Sequence, residues 1–370
     1  MDPLVKRLTC IMAGGGTGGH LFPAIAVARE LQARVEECNI VFVLGRKGRG
    51  EKILRAEGLE VSTLAVEGIK GKSMGKTMAV VVRLPLTFLE SMRMIRARRA
   101  HLVFGVGGYS AGPICAAAKV LGIPMAIHEQ NAFPGLTNRL LSRIADKVFI
   151  SFEESRDHMR VTEALVVGTP IRQELLAQAN GLGKSSKEFT LLVLGGSQGA
   201  KAINRAMVEA VKLLDREGRK LRVIHQTGEH DHERVRHDYF EAQMASKIRC
   251  QLFPFIQDMV WAYGEADLVV SRAGASTLFE LATLGKPSIL VPYPFAANNH
   301  QEMNARAMVR AGGALLIGQR ELSGPLLAET IAKLMDDHTK LKEMGEAAKA
   351  LARPEAASRI AEGLLQLVSL

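Results

Sequence analysis

The sequence predicts an α/β protein with two similar domains, each built on a doubly wound parallel sheet. The chain has 370 residues, enough for two domains with large cores. Its opening, "LTCIMAGGGTGGHLFPAIAVAREL", has an apolar run, a glycine turn and a helical pattern in that order. The same order returns at 189–211 as "FTLLVLGGSQGAKAINRAMVEAV", roughly half a chain later. A repeated strand–turn–helix unit indicates that one fold occurs twice.

The opening unit reads as a strand, a tight turn and a helix. Residues 8–13 are apolar enough for a buried strand, and residues 23–31 carry apolar side chains at helical spacing. The glycines at 14–19 match G-x-G-x-x-G, a turn whose backbone suits a phosphate at the helix start. The next strand, "NIVFVLG", leads into Arg46 and Lys47 rather than an acidic residue that could hold a ribose. A nicotinamide cofactor is therefore disfavoured, and we expect no cofactor.

Both halves continue with alternating strand-like and helix-like segments. Residues 100–131 have the order strand, glycine loop, helix, strand, and residues 266–294 repeat it. In such sheets ligands bind beyond the carboxyl ends of the strands, where polar side chains decide the chemistry. The polar residues at these positions are Thr17, His20, Tyr109, Ser110, His128, Glu129, Gln130, Asn131, Ser197, Gln198, Arg272, Ser276, Thr277, Glu280 and 298–301. Taken singly, each of these residues could cap a helix or form a hydrogen bond within a loop. Together they suit an anionic, sugar-bearing ligand, with Glu280 placed to bind ribose hydroxyls.

The composition indicates a globular protein of a reducing compartment. Apolar residues make up 47% of the chain and charged residues 23%. The four cysteines are scattered without C-x-x-C spacing, so neither a zinc site nor a disulfide framework is expected. The chain opens without a signal-peptide pattern and contains no apolar stretch long enough to span a membrane.

Residues 67–99 form a basic and apolar segment. They carry a net charge of +6, more than half of the chain's +10. A helix starting near Pro85 would place Phe88, Leu89, Met92 and Ile95 on one stripe. From this segment alone two interpretations stay open, a helix lying on an anionic membrane or an ordinary surface helix packed on its own domain. Nucleic acid is not expected, because no stacking aromatic residues lie among these basic residues.

Two competing motifs carry less weight. "GGSQG" fits the G-x-S-x-G nucleophile elbow of hydrolases around Ser197, with Asp267 and His300 following in the hydrolase order. The same pattern recurs around Ser110, and no HGGG-type oxyanion loop is present, so a serine hydrolase is a weak alternative. The histidines and acids at 229–238 fit a solvated helix start better than a metal site. Since no D-x-D ends a strand, no metal-dependent sugar transfer is expected.

Eight motifs along the chain resemble those of the MurG family, in order and at matching spacing. They are "GGGTGGH", "GVGGYSAGP", "HEQNAFPGLTNRLL", "VVGTPIR", "GGSQGA", "PFIQDM", "SRAGASTLFE" and "NNHQEMNA". The resemblance implies a GT-B fold, with two Rossmann-like doubly wound parallel-sheet domains facing across a cleft. It implies an N-terminal acceptor and membrane-side domain over 1–170, a UDP-GlcNAc-binding domain over 171–352, and a last helix at 353–370 packing back on the first domain. One departure is an extra glycine in "AGGGTGGH", where the family has "AGGTGGH".

The resemblance also implies an activity. This family transfers N-acetylglucosamine (GlcNAc) from UDP-GlcNAc to the 4-hydroxyl of the muramoyl sugar of lipid I, with inversion and without metal. The product, lipid II, serves peptidoglycan synthesis and hence cell shape and division. The expected location is peripheral, on the cytoplasmic face of the inner membrane, with an anionic membrane surface and other cell-wall synthesis proteins as partners. The alternative from the same fold is a non-hydrolysing UDP-GlcNAc 2-epimerase, which would leave the basic apolar segment unexplained.

The resemblance implies the following site residues. His20 is the candidate general base, with Glu129 and His128 behind it. The substrate-binding positions are Thr17, Gly18, Gly19, Asn131, Arg172, Ser197, Ile256, Ala275, Ser276, Thr277, Leu278, Glu280 and Gln301. A lipid-linked acceptor also favours the membrane interpretation of residues 67–99. The expected membrane patch comprises Lys72, Lys76, Arg83, Leu84, Leu86, Phe88 and Arg93.

Overall fold

The computed structural model divides the chain into two compact units. The N-terminal unit comprises Met1–Arg172 together with Arg353–Leu370, and the C-terminal unit comprises Gln173–Ala352. The residues that the structure describes are 6–14, 18–45, 50–66, 74–159, 161, 163–178, 187–196, 198–243 and 248–368.

The N-terminal unit is built on a seven-stranded parallel sheet in the order β3-β2-β1-β4-β5-β6-β7. Its strands are β1 (Arg7–Ala13), β2 (Glu37–Gly45), β3 (Glu60–Leu64), β4 (Leu102–Gly105), β5 (Met125–Glu129), β6 (Lys147–Ile150) and β7 (Leu165–Val166). Its first five helices are α1 (Gly18–Arg34), α2 (Gly50–Ala56), α3 (Met74–Ala97), α4 (Ala111–Val120) and α5 (Leu136–Leu141). Strands β1, β4 and β5 are buried almost throughout, because a parallel sheet is covered on both faces.

The C-terminal unit repeats this plan with a six-stranded parallel sheet in the order β10-β9-β8-β11-β12-β13. Its strands are β8 (Thr190–Leu194), β9 (Arg222–Gln226), β10 (Arg249–Phe253), β11 (Leu268–Ser271), β12 (Ser288–Leu290) and β13 (Ala314–Leu316). Its helices are α6 (Gln173–Gln178), α7 (Lys201–Arg216), α8 (His232–Gln243), α9 (Met259–Glu265), α10 (Ala275–Leu284), α11 (His300–Arg310), α12 (Gly324–Asp336) and α13 (His338–Lys349). The predicted pair of doubly wound parallel sheets is therefore confirmed.

The last helix, α14 (Ala356–Val368), packs on the N-terminal unit. Its apolar face, including Ile360 and Leu364, lies in the same core cluster as Leu21 and Leu31 of α1. Polar contacts fix its position, since Lys147 Nζ donates to Gln366 Oε1 at 2.7 Å. Buried apolar area and these charge-assisted contacts together hold the end of the chain on the first sheet.

Helix α3 differs from the sequence prediction. It begins at Met74 rather than near Pro85, so Pro85 lies inside it. Proline removes a helical hydrogen bond, yet the helix continues because Ile95 is buried and Phe88 and Met92 pack against the core of the unit. Three of the four residues of the predicted stripe thus stabilise their own domain, whereas the fourth, Leu89, is exposed. None of the described helices combines the length and apolar content needed to cross a membrane.

Candidate functional site

The carboxyl ends of β1 and β4 form the switch point of the N-terminal sheet, where strand order reverses. Gly14, directly after β1, has a φ of +124°. A Cβ atom there would overlap the carbonyl oxygen of Gly107 in the loop after β4. The two loops are therefore in backbone contact, and this contact by itself requires glycine at position 14. Thr17, predicted to bind substrate, lies outside the described residues.

His20 lies in the first turn of α1, next to this switch point. Gly18 and Gly19 are the first two residues of the helix, so their N–H groups belong to the end that favours an anion. The His20 side chain is half-buried, and its Nδ1 atom lies 2.8 Å from Oε1 of Gln130. The predicted base thus lies at the carboxyl ends of the strands, beside the glycine loop.

His128, the predicted alternative base, is enclosed by protein. It is 1% exposed, and its Nε2 atom lies 3.0 Å from the Gly168 carbonyl oxygen and 3.1 Å from Ser151 Oγ. Its Nδ1 atom lies 3.3 Å from Gln130 Nε2. Burial lowers the pKa of His128 to about 4, so the ring is neutral at physiological pH. Because both ring nitrogens contact protein groups, His128 is better suited to hold the site than to take a proton from substrate.

The carboxylate of Glu129, the other alternative base, accepts four hydrogen bonds. Oε1 accepts from the Asn131 backbone N–H at 2.9 Å and from Asn131 Nδ2 at 3.1 Å. Oε2 accepts from the Gly135 N–H at 3.1 Å and from Asn138 Nδ2 at 2.9 Å. The side chain is 2% exposed. These four bonds fix the loop between β5 and α5, and with it the predicted sugar-binding residue Asn131.

Arg172 is the last residue of Met1–Arg172, the first of the two segments that form the N-terminal unit. Its guanidinium lies 5.2 Å from the centre of the Phe22 ring on α1, a cation–π distance. Arg172 is thereby held close to the start of the helix that carries His20.

In the C-terminal unit, the glycine loop after β8 is packed directly on the loop after β9. Gly199 has a φ of +74°, and a Cβ atom there would overlap the Thr227 carbonyl oxygen. A Cβ atom at Gly228 would overlap the carbonyl oxygen of Gln198. Close backbone contact therefore fixes this loop. Ser197, its predicted diphosphate-binding residue, lies outside the described residues.

Gln226, at the end of β9, links two predicted parts of the donor site. Its Nε2 atom donates to the Gly196 carbonyl at 3.0 Å, and its Oε1 atom accepts from the Ile256 N–H at 2.9 Å. The glycine loop and the backbone at Ile256, expected to meet uracil, are thus held by one buried side chain. Gln226 was not predicted from the sequence, although its position at the carboxyl end of a strand was a signal for it.

Helix α10 presents its N-terminal end at the switch point between β8 and β11. Its N-cap is Gly274, which has no side chain to accept from the first N–H groups of the helix. The predicted phosphate-binding residues 275–278 form the first turn. Glu280 follows in the second turn, where it is buried and accepts a 2.9 Å hydrogen bond from the hydroxyl of Tyr263. The structure therefore gathers a polar helix end and a fixed carboxylate at one edge of the sheet.

Gln301 lies in the first turn of α11, beyond the same sheet edge. Its Oε1 atom accepts from the Tyr293 N–H at 2.9 Å, which directs the side chain toward the loop after β12. Arg272, after β11, donates to the Val291 and Pro292 carbonyls at 3.0 and 3.2 Å and stacks over the Tyr293 ring. These contacts give the loop that precedes α11 a defined position.

The geometry does not support the serine hydrolase alternative. Asp267 precedes β11 and accepts from the N–H of Thr190, the first residue of β8, at 2.7 Å. Position 197 follows β8, at the opposite end of that strand. Because parallel strands run in the same direction, Asp267 and the loop containing residue 197 lie at opposite edges of the sheet. The sequence order of a triad is present, but its acid is on the wrong edge.

The two units match the two domains of one family of transferases. Residues 10–150 match the glycosyltransferase family 28 N-terminal domain, and residues 190–360 match its C-terminal domain. Relatives from Myxococcus xanthus and Syntrophus aciditrophicus are 42% and 41% identical over 97% of this chain, covering 92% and 99% of their own lengths. Each is named UDP-N-acetylglucosamine–N-acetylmuramyl-(pentapeptide) pyrophosphoryl-undecaprenol N-acetylglucosamine transferase. The chain belongs to the MurG family of family 28 glycosyltransferases.

Solved structures agree with this family assignment. MurG from Acinetobacter baumannii is 32% identical, with a TM-score of 0.79 over 97% of this chain and 100% of that one. MnaA from S. aureus, solved with UDP, has a TM-score of 0.68 over 98% of both chains at 15% identity, which shows a shared fold alone. The GT-B fold expected from the resemblance is confirmed for this MurG-family chain.

This MurG-family chain also exposes apolar side chains on α3. Leu84 and Leu86 are exposed, Leu86 by 68%. Arg83, which precedes them on the helix, is exposed as well. Phe88, predicted to belong to the membrane patch, is instead partly buried against the core. Arg93 is exposed, Lys76 lies in the first turn of α3, and Lys72 lies outside the described residues.

A second exposed apolar row, not predicted from the sequence, occurs on α5 and just after it. Leu136, Leu140 and Ile144 are exposed at a spacing of four residues, with Arg139 and Arg143 exposed between them. The spacing of four was a readable signal for one helix face. That this face is exposed could not be predicted from the sequence, because the opposite face of the same short helix, with Asn138 and Leu141, is the one that is buried.

Proposed function

We propose that this chain transfers GlcNAc from UDP-GlcNAc to the 4-hydroxyl of the muramoyl sugar of lipid I, forming lipid II for peptidoglycan synthesis. The observation that carries the proposal is the identity of 41–43% with transferases so named, over nearly the whole chain. The site geometry agrees, because each unit presents a glycine loop and a helix N-terminus at its switch point. Such ends suit the diphosphates of both substrates.

The C-terminal unit is the donor domain in this proposal. The loop containing Ser197 and the first turn of α10, from Ala275 through Ser276 and Thr277 to Leu278, bind the UDP diphosphate. Glu280 accepts hydrogen bonds from the ribose hydroxyls. The Ile256 carbonyl accepts from the uracil imide N–H, since its own N–H donates to Gln226. Gln301 contacts the N-acetylglucosamine.

The N-terminal unit supplies the acceptor site and the base. The acceptor hydroxyl oxygen attacks the anomeric carbon of GlcNAc while the bond from that carbon to the UDP oxygen breaks, which inverts the configuration. His20 takes the hydroxyl proton. Backbone N–H groups and the helix end stabilise the charge on the departing UDP without a metal ion. Thr17, Gly18 and Gly19 lie close to the reacting groups. Asn131 contacts the N-acetylglucosamine, and Arg172 is a further substrate-binding residue.

The same proposal assigns the exposed apolar side chains of the N-terminal unit to the membrane. Leu84 and Leu86, with Arg83 and Arg93, form the core of a surface that rests on anionic lipid. Apolar residues rimmed by cations suit a peripheral helix. A lipid-linked acceptor requires such a contact, and the location proposed for the enzyme is the cytoplasmic face of the inner membrane. Other proteins of cell-wall synthesis are candidate partners at that surface.

The test is transfer of radiolabelled GlcNAc from its UDP form to a lipid I analogue in the presence of EDTA. We expect a lipid-linked disaccharide, and loss of at least about a hundredfold in rate for His20→Ala. His237→Ala, which removes a largely exposed histidine on α8, is the control and should retain full activity. Conversion of the free sugar nucleotide without transfer would instead identify a 2-epimerase.

A further inference from the structure

A chain of hydrogen bonds runs inward from His20 through the N-terminal unit. His20 Nδ1 and Gln130 Oε1 are 2.8 Å apart, and Gln130 Nε2 and His128 Nδ1 are 3.3 Å apart. The hydrogen-bond chain continues to Ser151 Oγ, which lies 3.1 Å from His128 Nε2, and ends at Thr169 Oγ1, which lies 2.7 Å from Ser151 Oγ. Gln130 and His128 are each 1% exposed, so water does not compete for these bonds.

The orientation of the Gln130 amide is determined by a backbone carbonyl. Its Nε2 atom lies 3.1 Å from the carbonyl oxygen of Val106, which can only accept a hydrogen bond. The opposite orientation would set two oxygens against each other at that distance. Gln130 therefore directs its N–H₂ group toward Val106 and its oxygen toward His20.

His128 supports the same orientation from the other side. Its Nε2 atom lies 3.0 Å from the Gly168 carbonyl oxygen, so Nε2 carries a proton. Burial lowers the pKa of His128 to about 4, which leaves the ring neutral with a single N–H. Its Nδ1 atom is then a lone pair that accepts from Gln130 Nε2. Two obligatory acceptors, the carbonyls of Val106 and Gly168, thus fix the donor groups of Gln130 and His128.

The consequence reaches His20. Since Gln130 offers it an oxygen that can only accept, the Nδ1 atom of His20 must carry the proton. A neutral imidazole has one N–H, so its Nε2 atom carries the lone pair. Among the residues that the structure describes, none hydrogen-bonds to this Nε2 atom. The base-competent nitrogen of His20 is therefore also the one that makes no hydrogen bond to the described residues.

We propose that Gln130 is a positioning residue that holds His20 in the tautomer with Nδ1 protonated and Nε2 able to accept the proton of the acceptor hydroxyl. The effect on catalysis rests on the proposed function, whereas the tautomer does not. In the other tautomer Nε2 would carry hydrogen and could only donate, so the hydroxyl proton would have no acceptor at that position. Loss of tautomer control in another enzyme class lowers kcat by several orders of magnitude, which shows how large the effect can be.

The first measurement is the tautomer itself. Long-range ¹H–¹⁵N NMR of the protein labelled at the histidine rings, recorded well above the ordinary pKa of imidazole, distinguishes protonated from unprotonated ring nitrogens. The His20 signals are assigned by their loss in His20→Asn. We expect protonated Nδ1 and unprotonated Nε2 in the wild type. A wild-type His20 with Nε2 protonated would overturn the proposal.

Two substitutions at Gln130 test its role. Gln130→Met removes the acceptor, and we expect His20 to shift toward the tautomer with Nε2 protonated. Gln130→Glu keeps an oxygen facing Nδ1, and we expect it to retain the wild-type tautomer although it loses the donor to Val106. Gln366→Met makes the same change at a surface glutamine of the same unit and should leave the His20 signals unaltered. An unchanged His20 spectrum in Gln130→Met would overturn the proposal.

Kinetics then connect the tautomer to transfer. For Gln130→Met we expect kcat to fall by about tenfold or more, with KM for UDP-GlcNAc within about twofold of wild type. Gln130→Glu should recover part of this loss at high pH, and Gln366→Met should match the wild type. A raised KM with unchanged kcat would refute a role in positioning the base. Absence of transfer by the wild type would refute the proposed function and leave the NMR result standing.

Discussion

The hydroxyl of Tyr263 donates a 2.9 Å hydrogen bond to Oε2 of Glu280, and both side chains are buried in the C-terminal unit. Tyr263 lies on α9 and Glu280 in the second turn of α10. A hydrogen bond to a carboxylate is stronger than one between neutral groups, so it limits the conformations of the Glu280 side chain. If Glu280 binds the ribose, Tyr263 holds the carboxylate ready for it.

Tyr263→Phe should therefore weaken donor binding. Without this bond the Glu280 side chain must be ordered when the donor binds, at a cost of about 0.5–1.5 kcal/mol, so the affinity for UDP-GlcNAc should fall by about two- to tenfold. Titration calorimetry measures the effect, which should disappear with a UDP analogue that lacks both ribose hydroxyls. Tyr239→Phe, which removes another buried tyrosine hydroxyl bonded to His225, is the control and should bind the donor normally. Wild-type affinity in Tyr263→Phe would contradict the proposed role.

Glu129→Gln should lower stability rather than remove a base. The amide nitrogen of glutamine would face two N–H donors wherever it is placed, because each carboxylate oxygen of Glu129 accepts two bonds. Leaving buried donors without an acceptor costs about 2 kcal/mol, or roughly 4–8 °C in the melting temperature of this unit. Thermal unfolding is the measurement, and Glu153→Gln, at a surface ion pair with Arg156, is the control. Loss of activity with unchanged melting would instead favour Glu129 as the base.

Mild acid should destabilise the N-terminal unit through His128. Burial lowers its pKa to about 4, below the ordinary value near 6.5. Between these values the unfolded chain binds a proton that the folded chain does not, so the free energy of unfolding falls as the pH decreases through this window. The full effect is on the order of 3 kcal/mol.

Urea unfolding at about pH 7 and about pH 5 measures this effect of His128. His128→Gln should reduce the difference between the two conditions in the transition of the N-terminal unit. His237→Gln, at an exposed histidine, should not change it. The buried His225, whose pKa burial lowers to about 3, should give the C-terminal unit the same direction of pH dependence. A His128→Gln variant with the wild-type pH dependence would contradict the prediction.

Leu86→Asp should weaken binding to vesicles that contain anionic lipid. Burying a leucine side chain in the interface contributes about 1.5 kcal/mol or more, so the partition coefficient should fall by at least about tenfold. Phe240→Asp is the control, because Phe240 and Leu86 are each 68% exposed but Phe240 lies on α8 of the C-terminal unit. Vesicle co-sedimentation of the two variants is the measurement. Equal losses for both would argue against a membrane surface on α3.

Much of the fold could be predicted because its signals are local. The apolar run at 8–13, the glycines after it and the helical spacing at 23–31 are all properties of neighbouring residues, and they recur at 189–211. The predicted start of α3 at Pro85 was wrong for the opposite reason. A local helix-breaking residue was outweighed by packing of the same helix against a distant core.

The site was less readable than the fold. The sequence alone placed His20, His128 and Glu129 at the carboxyl ends of strands but ranked them without geometry. The structure commits the Glu129 carboxylate to the Asn131 loop and encloses His128. Both findings favour His20 among the three candidate bases, and its role stays a prediction. The substrate-binding roles of the other residues stay predictions.

The sequence by itself determined the repeated strand–turn–helix plan, the family of the chain and the residue types at the strand ends. Only the tertiary structure decided which atoms of those residues are committed to one another. His20 and Gln130 are 110 positions apart and meet because β1 and β5 flank β4 in the same sheet. Whether two groups form a hydrogen bond depends on differences of a few tenths of an ångström in the distance between them. That distance is set by strand order and packing rather than by any local pattern.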